Sequence, residues 1–466
     1  MVYELTNSAA LEAARSITAT LREQSHQAYF AGGCVRDLLL GRAPKDFDIA
    51  TSATPDQVVA LFPHTQPVGA HFGVILVVTG GEEGRIATEV ATFRHDGIYL
   101  DGRRPDAVRF SIDPREDVQR RDFTINGMLL DPAYLAPAGS DRFILEDSAI
   151  LDFAGGRDDL QARLVRTIGP PAQRFAEDKL RMLRGVRFAA RFGFALDPAT
   201  LTAMRQQAQE IAQVSHERVR DELTRMLTEG HARRACELLD ESGLLAQVLP
   251  EIARMQGVQQ PPQYHPEGDV WTHTRMLLEH LPAGCSPTLA WGFLLHDVGK
   301  PATFQPPNPA KPGDRIRFNG HVEVGVRIAE EVLRRLRFSH EDEAQIVALV
   351  RHHMQFGDIR QMKESTLKRF LRLPRFEEHL ALHHADCCSS HRDLSLYEFA
   401  RERFEQAEPA DIRPPLLITG RELIEAGYEP GPRFKQMLEA AEDAQLEGRI
   451  RTKADGLNLL TKTFPR

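Results

Sequence analysis

Apolar positions in the first third of the chain follow helical and strand periods in turn. Over 11–21 they recur every three to four residues, predicting an amphipathic helix. The short run at 28–31 reads as a strand that meets Gly32-Gly33, and a brief helix follows that stops at Gly41. The runs FGVILVV (72–78) and ATEVATF (87–93) read as strands separated by the turn GGEEG. Beyond about residue 155 the strand signals fade and helical periodicity takes over. Breaks at Gly155-Gly156, in the Pro/Gln-rich stretch 258–269 and near 409–415 predict four parts: a head over 1–150, a neck over 151–255, a third domain over 256–400 and a helical tail over 401–466.

Composition narrows the class. The 466 residues are 42% hydrophobic and 27% charged, enough apolar material for several cores. No apolar run approaches the roughly 20 residues of a membrane helix, and the early acids of the N-terminus do not read as a signal peptide. The five cysteines form no CxxC pair, which argues against a disulfide framework or zinc ribbon. The expectation is a soluble, cytoplasmic protein without a membrane role; no protein partner can be deduced. A net charge of −8 excludes a uniformly basic nucleic-acid binder. Locally the sign reverses: 160–191 carries eight Arg/Lys against two acids, a candidate footprint for a phosphate backbone.

Candidate chemistry begins at Gly32-Gly33-Cys34-Val35-Arg36-Asp37, where a strand should turn into a helix. Glycines there let backbone amides approach an anion, and the helix N-terminus adds its positive end. Asp46-Phe47-Asp48 follows, and alternation puts Asp46 and Asp48 on one face of an extended segment, suited to Mg2+. Glu89, in the second of the strand-like runs, is a plausible third carboxylate. Such a metal pair would bridge a triphosphate, activate a 3′-hydroxyl and stabilise leaving pyrophosphate.

Taken together, G-G-x-V-R-D, then L-G-R, then D-x-D resembles the nucleotidyltransferase superfamily of the DNA polymerase β type. Two further motifs narrow the resemblance. Arg120-Arg121-Asp122-Phe123-Thr124-Ile125-Asn126 looks like the ribose-reading motif of class II tRNA nucleotidyltransferases, the CCA-adding enzymes and their poly(A) polymerase relatives. Glu177-Asp178-Lys179-Leu180-Arg181-Met182-Leu183-Arg184 resembles that family's base-reading helix. The resemblance implies that Gly32, Gly33, Arg36, Arg121, Asp122, Asn126, Asp178, Arg181 and Arg184 bind the nucleotide, with Asp46, Asp48 and Glu89 catalytic. Asp178 and Arg181, at i and i+3, should share a helix face. A carboxylate acceptor beside a guanidinium donor fits C and A and opposes U and G, so protein would replace a template. The stretch 67–73 looks more like the CCA-adding branch than bacterial poly(A) polymerases, whose G-R-R-F-R motif and basic tail are absent. The segment HDGIYLDGRRPDAVRF resembles the family's flexible loop.

Twelve of the 18 histidines lie between His265 and His391. The apolar run LAWGFLLHDVGKP (289–301) reads as a helix ending in His296-Asp297, stopped by Gly299 and Pro301. Delivering these polar groups from an apolar helix is costly unless something binds them. With His273, His321, His352 or His353, and Asp386, the order resembles the HD phosphohydrolase superfamily. That resemblance implies His273, His296, Asp297 and Asp386 around one divalent transition metal such as Ni2+ or Mn2+. The same resemblance offers His321 and His352 as candidate ligands of a phosphate or second metal, with His353 able to take the place of His352.

The resemblance therefore implies a multidomain protein: a mixed α/β nucleotidyltransferase head of the polymerase β type, with the remainder all-α and including an HD domain. It implies addition or repair of the 3′-terminal CCA of tRNA from CTP and ATP, and a metal-dependent phosphohydrolase activity in the HD domain. A poly(A) polymerase or A-adding tRNA nucleotidyltransferase is the nearest alternative; a nucleotidyltransferase-HD signalling protein is more distant.

Overall fold

A computed structural model describes residues 2–69, 72–80, 84–97, 108–138 and 142–465. Most of the expected flexible loop (98–107), and Ala70 and His71 of the 67–73 stretch, lie outside the described residues. The chain divides into two compact units, Met1–Pro250 and Glu251–Arg466.

Among the described residues the first unit holds fourteen strands, twelve of them before residue 155: β1 (Val2–Thr6), β2 (Ala28–Ala31), β3 (Asp48–Thr51), β4 (Thr65–Gly69), β5 (Val74–Thr79), β6 (Ile86–Thr92), β7 (Arg94–Asp96), β8 (Val108–Phe110), β9 (Met128–Leu130), β10 (Ala136–Pro137), β11 (Arg142–Glu146) and β12 (Ile150–Asp152). Seven of them form one sheet in the order β12-β9-β2-β3-β6-β5-β4. β2 pairs antiparallel with β3, and β3 runs parallel to β6 with Ile49 opposite Val90. That register sets Asp48 and Glu89, each one residue earlier, side by side. The helix Ala9–Glu23 starts on Ser8, whose hydroxyl accepts from the Leu11 amide, and buries Leu11, Ala14, Ile17 and Leu21 against β2, β3 and β6.

Two features depart from the expected pattern. β1 pairs with β11 in a separate sheet, a contact 136 or more residues apart in sequence that no local period announces. Past residue 155 the unit is not purely helical, because Leu164–Val165 and Ala195–Leu196 form a two-residue parallel pair. Around that pair the helix Leu180–Phe192 packs on His216–Thr228 and Ala232–Glu241. Arg187 and Glu222, both nearly fully buried, join two of these helices at 2.7 Å. Loss of either partner would strand the other charge in the core.

The second unit is built from helices. Pro287–Leu295 is apolar all round and buried from Thr288 to its end, as expected for a central helix. Val270–Leu278, His340–His352 and Phe376–Ser389 pack around it, and His321–Arg335 packs on His340–His352. Gly299 does more than end a helix. A Cβ there would lie 2.1 Å from the His321 carbonyl, so glycine lets the backbone after His296-Asp297 touch the start of the next long helix. The short helix Lys300–Thr303 then continues beyond it, with Pro301 in its first turn.

Candidate functional site

The first unit contains a cleft of about 480 Å3 lined by Gly32, Gly33, Arg36, Asp48, Glu89, Arg121, Asp122, Asn126, Asp178, Arg181 and Arg184, among others. Eleven of the twelve residues expected at this site therefore face one cavity. Asp46 is not in its lining, but alternation holds across Asp46-Phe47-Asp48: the acids are exposed while Phe47 is buried against Phe30.

At one end, Gly32 caps the helix Gly33–Leu39 with φ of 72°, and a Cβ there would stand 3.2 Å from the Arg121 guanidinium. Asp48 as a residue is exposed, but desolvation of its carboxyl within the cleft pushes it up to about 6, with Glu89 and Asp46 adding to the rise and Arg121 opposing it. Clustered hard oxygen donors of one sign suit Mg2+. A Mg2+ ion held by Asp48 would have to displace the proton that its carboxyl takes up below about pH 6. The Mg2+ concentration for half-maximal activity is therefore expected to rise steeply between pH 6.5 and 5. A value flat to pH 5 would contradict this. The sign for stability is opposite: a raised native carboxyl pKa makes the metal-free protein more stable as pH falls from about 6 toward 3.8.

Along the floor the expected ligands form a chain. Arg36 is buried, donating to Asp37 at 2.7 and 2.8 Å and to the Asn126 side-chain oxygen at 2.6 Å. Asn126 donates to Asp122 at 3.2 Å, and Arg184 donates to the other Asp122 oxygen at 2.8 Å. Burial raises the Asp122 pKa, yet the Arg184 charge and these hydrogen bonds bring it down to about 2. Asp122 stays an acceptor, and Arg36 braces the floor through Asn126.

The base-reading pair sits differently from the expected helix face. Asp178 lies in an extended conformation (φ −146°, ψ 106°) after the helix Pro171–Glu177, while Arg181 belongs to Leu180–Phe192. A helix break separates them, with the Asp178 carboxylate accepting from the Leu180 amide at 3.1 Å. Its second oxygen accepts from Arg218 at 2.9 Å. Arg181 donates to Glu177 at 2.6 Å and to the Arg120 carbonyl at 3.0 Å. The i,i+3 reading failed because it assumed an unbroken helix, whereas the Asp178 side chain caps a new one. Arg218 was not among the expected site residues, because its partner lies 40 residues away in sequence.

In the second unit, His273, His296 and Asp386 offer ligand atoms within 4.8 Å of one another, and so do Asp297, His321 and His353. Asp297 links the groups. One of its oxygens lies 3.1 Å from His296 Nε2 and 3.9 Å from His273 Nε2; the other lies 3.8 and 3.7 Å from the Nε2 atoms of His321 and His353. Every imidazole is oriented from behind. Nδ1 of His296, His321 and His353 bonds to the carbonyls of Phe293, Phe318 and Val350 at 2.9, 3.0 and 2.7 Å, and that of His273 to Glu267 at 2.7 Å. His273 Nε2 lies 3.1 Å from Asp386 and His296 Nε2 3.1 Å from Asp297, so both buried ring nitrogens converge on carboxylates without a well-aligned hydrogen bond, as ligands of one metal would. The residues present fit a transition metal.

The open choice between His352 and His353 falls to His353. His352 instead turns toward His379 and Phe370, with ring centroids 6.0 and 6.5 Å away, so it is no ligand of this cluster. Consecutive helix residues point about 100° apart, and the sequence could not say which faced inward. Lys300 escaped the sequence reading; it lies 2.7 Å from Asp297 and donates to Gln260 at 2.7 Å. Burial depresses His273, yet Asp386 and Glu267 hold it up to about 9, whereas burial drives His353 down to about 4.

A parallel-antiparallel sheet carrying neighbouring carboxylates, followed by helices with an arginine-lined cleft, defines a nucleotidyltransferase head joined to an HD-type helical domain. Family models agree: the "Poly A polymerase head domain" matches 28–166, the "Probable RNA and SrmB- binding site of polymerase A" 193–256, and the "HD domain" 264–390. A CCA-adding enzyme of Bacillus cereus (strain B4264) is 30% identical over 458 residues, covering 96% of this chain and 98% of its own. The chain belongs to the family of CCA-adding enzymes. The CCA-adding enzyme of Geobacillus stearothermophilus is 44% identical over 240 residues, a match that spans 52% of this chain and 55% of that enzyme. The crystal structure of the Bacillus stearothermophilus CCA-adding enzyme in complex with CTP superposes with a TM-score of 0.71 at 27% identity, covering 98% of both chains.

Proposed function

We propose that this chain adds or repairs the 3′-terminal CCA of tRNA from CTP and ATP without a nucleic-acid template. One observation carries the reading: the Asp48-Glu89 carboxylates and the Asp178-Arg181 base-reading groups line the same cavity. Asp46, Asp48 and Glu89 would hold Mg2+, which when bound supplies charge stabilisation for attack of a 3′-hydroxyl on the α-phosphorus with loss of pyrophosphate. Arg121 and the Gly32-Gly33 backbone meet the triphosphate, Asp122 and Asn126 the ribose, and Arg184 holds Asp122 ready. Arg218 fixes the Asp178 carboxylate as an acceptor for the exocyclic amine of C or A, and Arg181 donates to the ring nitrogen.

The division into head (1–150), neck (151–255), HD domain (256–400) and tail (401–466) remains our functional one. In the HD domain, His273, His296, Asp297 and Asp386, with His321 and His353, would hold a divalent transition metal such as Ni2+ or Mn2+ for hydrolysis of small phosphoesters at RNA ends. Among the described residues no helix is long and apolar enough to cross a membrane. We place the activity in the cytoplasm, with tRNA as the macromolecular partner.

The deciding assay offers tRNAs ending at the discriminator base, at C and at CC to each nucleotide and sizes the products. Addition of C, C and A in turn is expected; runs of A, or A added only to CC ends, would favour the polymerase or A-adding alternative. Base choice has its own test. Asp178→Ala should reduce discrimination of CTP over UTP by about tenfold or more while changing triphosphate affinity less, since only the acceptor facing the base is removed. An unchanged CTP/UTP ratio removes Asp178 from the base pocket.

A further inference from the structure

Behind the cleft wall lies a carboxylate with no place in the scheme above. Asp117 sits in the helix Pro114–Gln119, is fully buried, and divides its oxygens between two neighbouring arginines. One oxygen accepts from Arg120 at 2.6 and 2.8 Å, the other from Arg121 at 2.9 and 3.3 Å. Both arginines line the cleft. Arg121 reaches its phosphate end, where its guanidinium also approaches the Asn126 carbonyl at 3.4 Å and crowds Gly32. Arg120 reaches the other end through its backbone, whose carbonyl receives Arg181 at 3.0 Å.

A simple structural ion pair would need one arginine. Here a single buried carboxylate holds two consecutive arginines, one reaching the phosphate end of the site through its guanidinium and the other meeting Arg181 through its backbone carbonyl. Two adjacent arginines of like charge would otherwise repel and sample many rotamers. We propose that Asp117 is a positioning residue that sets the spacing between the triphosphate grip at Arg121 and the base-reading arm at Arg181. This rests on the nucleotidyl-transfer reading of the cleft. Asp117 touches no substrate; it acts through the two arginines, so its loss should act on nucleotide binding common to CTP and ATP.

The test measures kcat and KM for CTP and ATP, KM for tRNA, and the thermal midpoint of the full chain for wild type, Asp117→Asn, Asp117→Glu, Arg121→Ala and Asp117→Asn/Arg121→Ala. Asp117→Asn is expected to raise KM for both nucleotides about tenfold or more, a scale reached by small misplacements of binding groups. KM for tRNA should stay within about twofold, and UTP misincorporation should rise with it. The double variant should be no worse than Arg121→Ala in triphosphate KM, because the carboxylate has nothing left to aim there. Asp117→Glu keeps the charge and both partners but displaces them by one methylene, and decides the matter if the asparagine variant does not fold. Nucleotide KM unchanged in a folded Asp117→Asn or Asp117→Glu, or Asp117 and Arg121 effects that multiply, overturns the proposal. A wild type that incorporates neither CMP nor AMP removes the reading of the cleft instead.

Discussion

Alanine at Asp48 is expected to abolish incorporation from CTP and from ATP alike, with a loss of at least about a thousandfold in rate, or roughly 4 kcal/mol of barrier. Both nucleotides fail together because the carboxylate serves the phosphates, which they share, and not the bases. Asp46→Ala should behave in the same way although Asp46 is not in the cleft lining, because the two exposed acids flanking the buried Phe47 would together hold the Mg2+ that supplies the charge stabilisation. Single-turnover addition of CMP to a tRNA ending at the discriminator base, and of AMP to one ending in CC, measures each step. A near-normal rate with Mg2+ in either variant removes that aspartate from the catalytic set. Thermal unfolding should not fall in Asp48→Ala: relief of repulsion among Asp46, Asp48 and Glu89 leaves the metal-free protein as stable or more so.

Those acids were legible before the fold because alternation along an extended segment is a local rule that Asp46-Phe47-Asp48 obeys, although β3 itself is buried from Ile49 to Thr51. The strand at 28–31 was legible as a short apolar run that meets Gly32-Gly33, with β2 observed over Ala28–Ala31. What escaped depends on contacts distant in sequence. β1 finds β11 across most of the head, and Asp178 finds Arg218 across a helix break. Asp117 carried the one local hint, lying three and four residues before its arginines on a helical turn, but such pairs are usually solvated and weak. Only burial turns this one into a constraint. In the HD domain the order of His and Asp identified the ligand types, while rotation of a helix decided between His352 and His353. Glu267, which orients His273, read as part of a loop, and only folding brings it to the imidazole.

Removing the HD ligands should separate the two chemistries proposed for this chain. His296→Ala with Asp297→Ala is expected to eliminate hydrolysis of a 2′,3′-cyclic phosphate at an RNA end while CMP and AMP incorporation stay within about twofold. Asp46→Ala with Asp48→Ala should do the reverse. The expectation follows from the ligand sets: carboxylates in one unit suit Mg2+, whereas imidazoles backed by carbonyls in the other suit Ni2+ or Mn2+. Asp297 should be the most sensitive HD position, since its two oxygens face both groups of histidines. His353→Ala should impair hydrolysis and His352→Ala should not, which separates the neighbours by activity as the fold separates them by direction. Metal content is a second readout: wild type dialysed against Ni2+ should retain it, and the His296→Ala/Asp297→Ala protein should not. Retention without hydrolysis under either metal would leave the cluster as a metal-stabilised scaffold. Absence of both would mean that His273 and His296 serve only as structural partners of Asp386 and Asp297, each 3.1 Å from the ring Nε2, and the two-activity reading would fall.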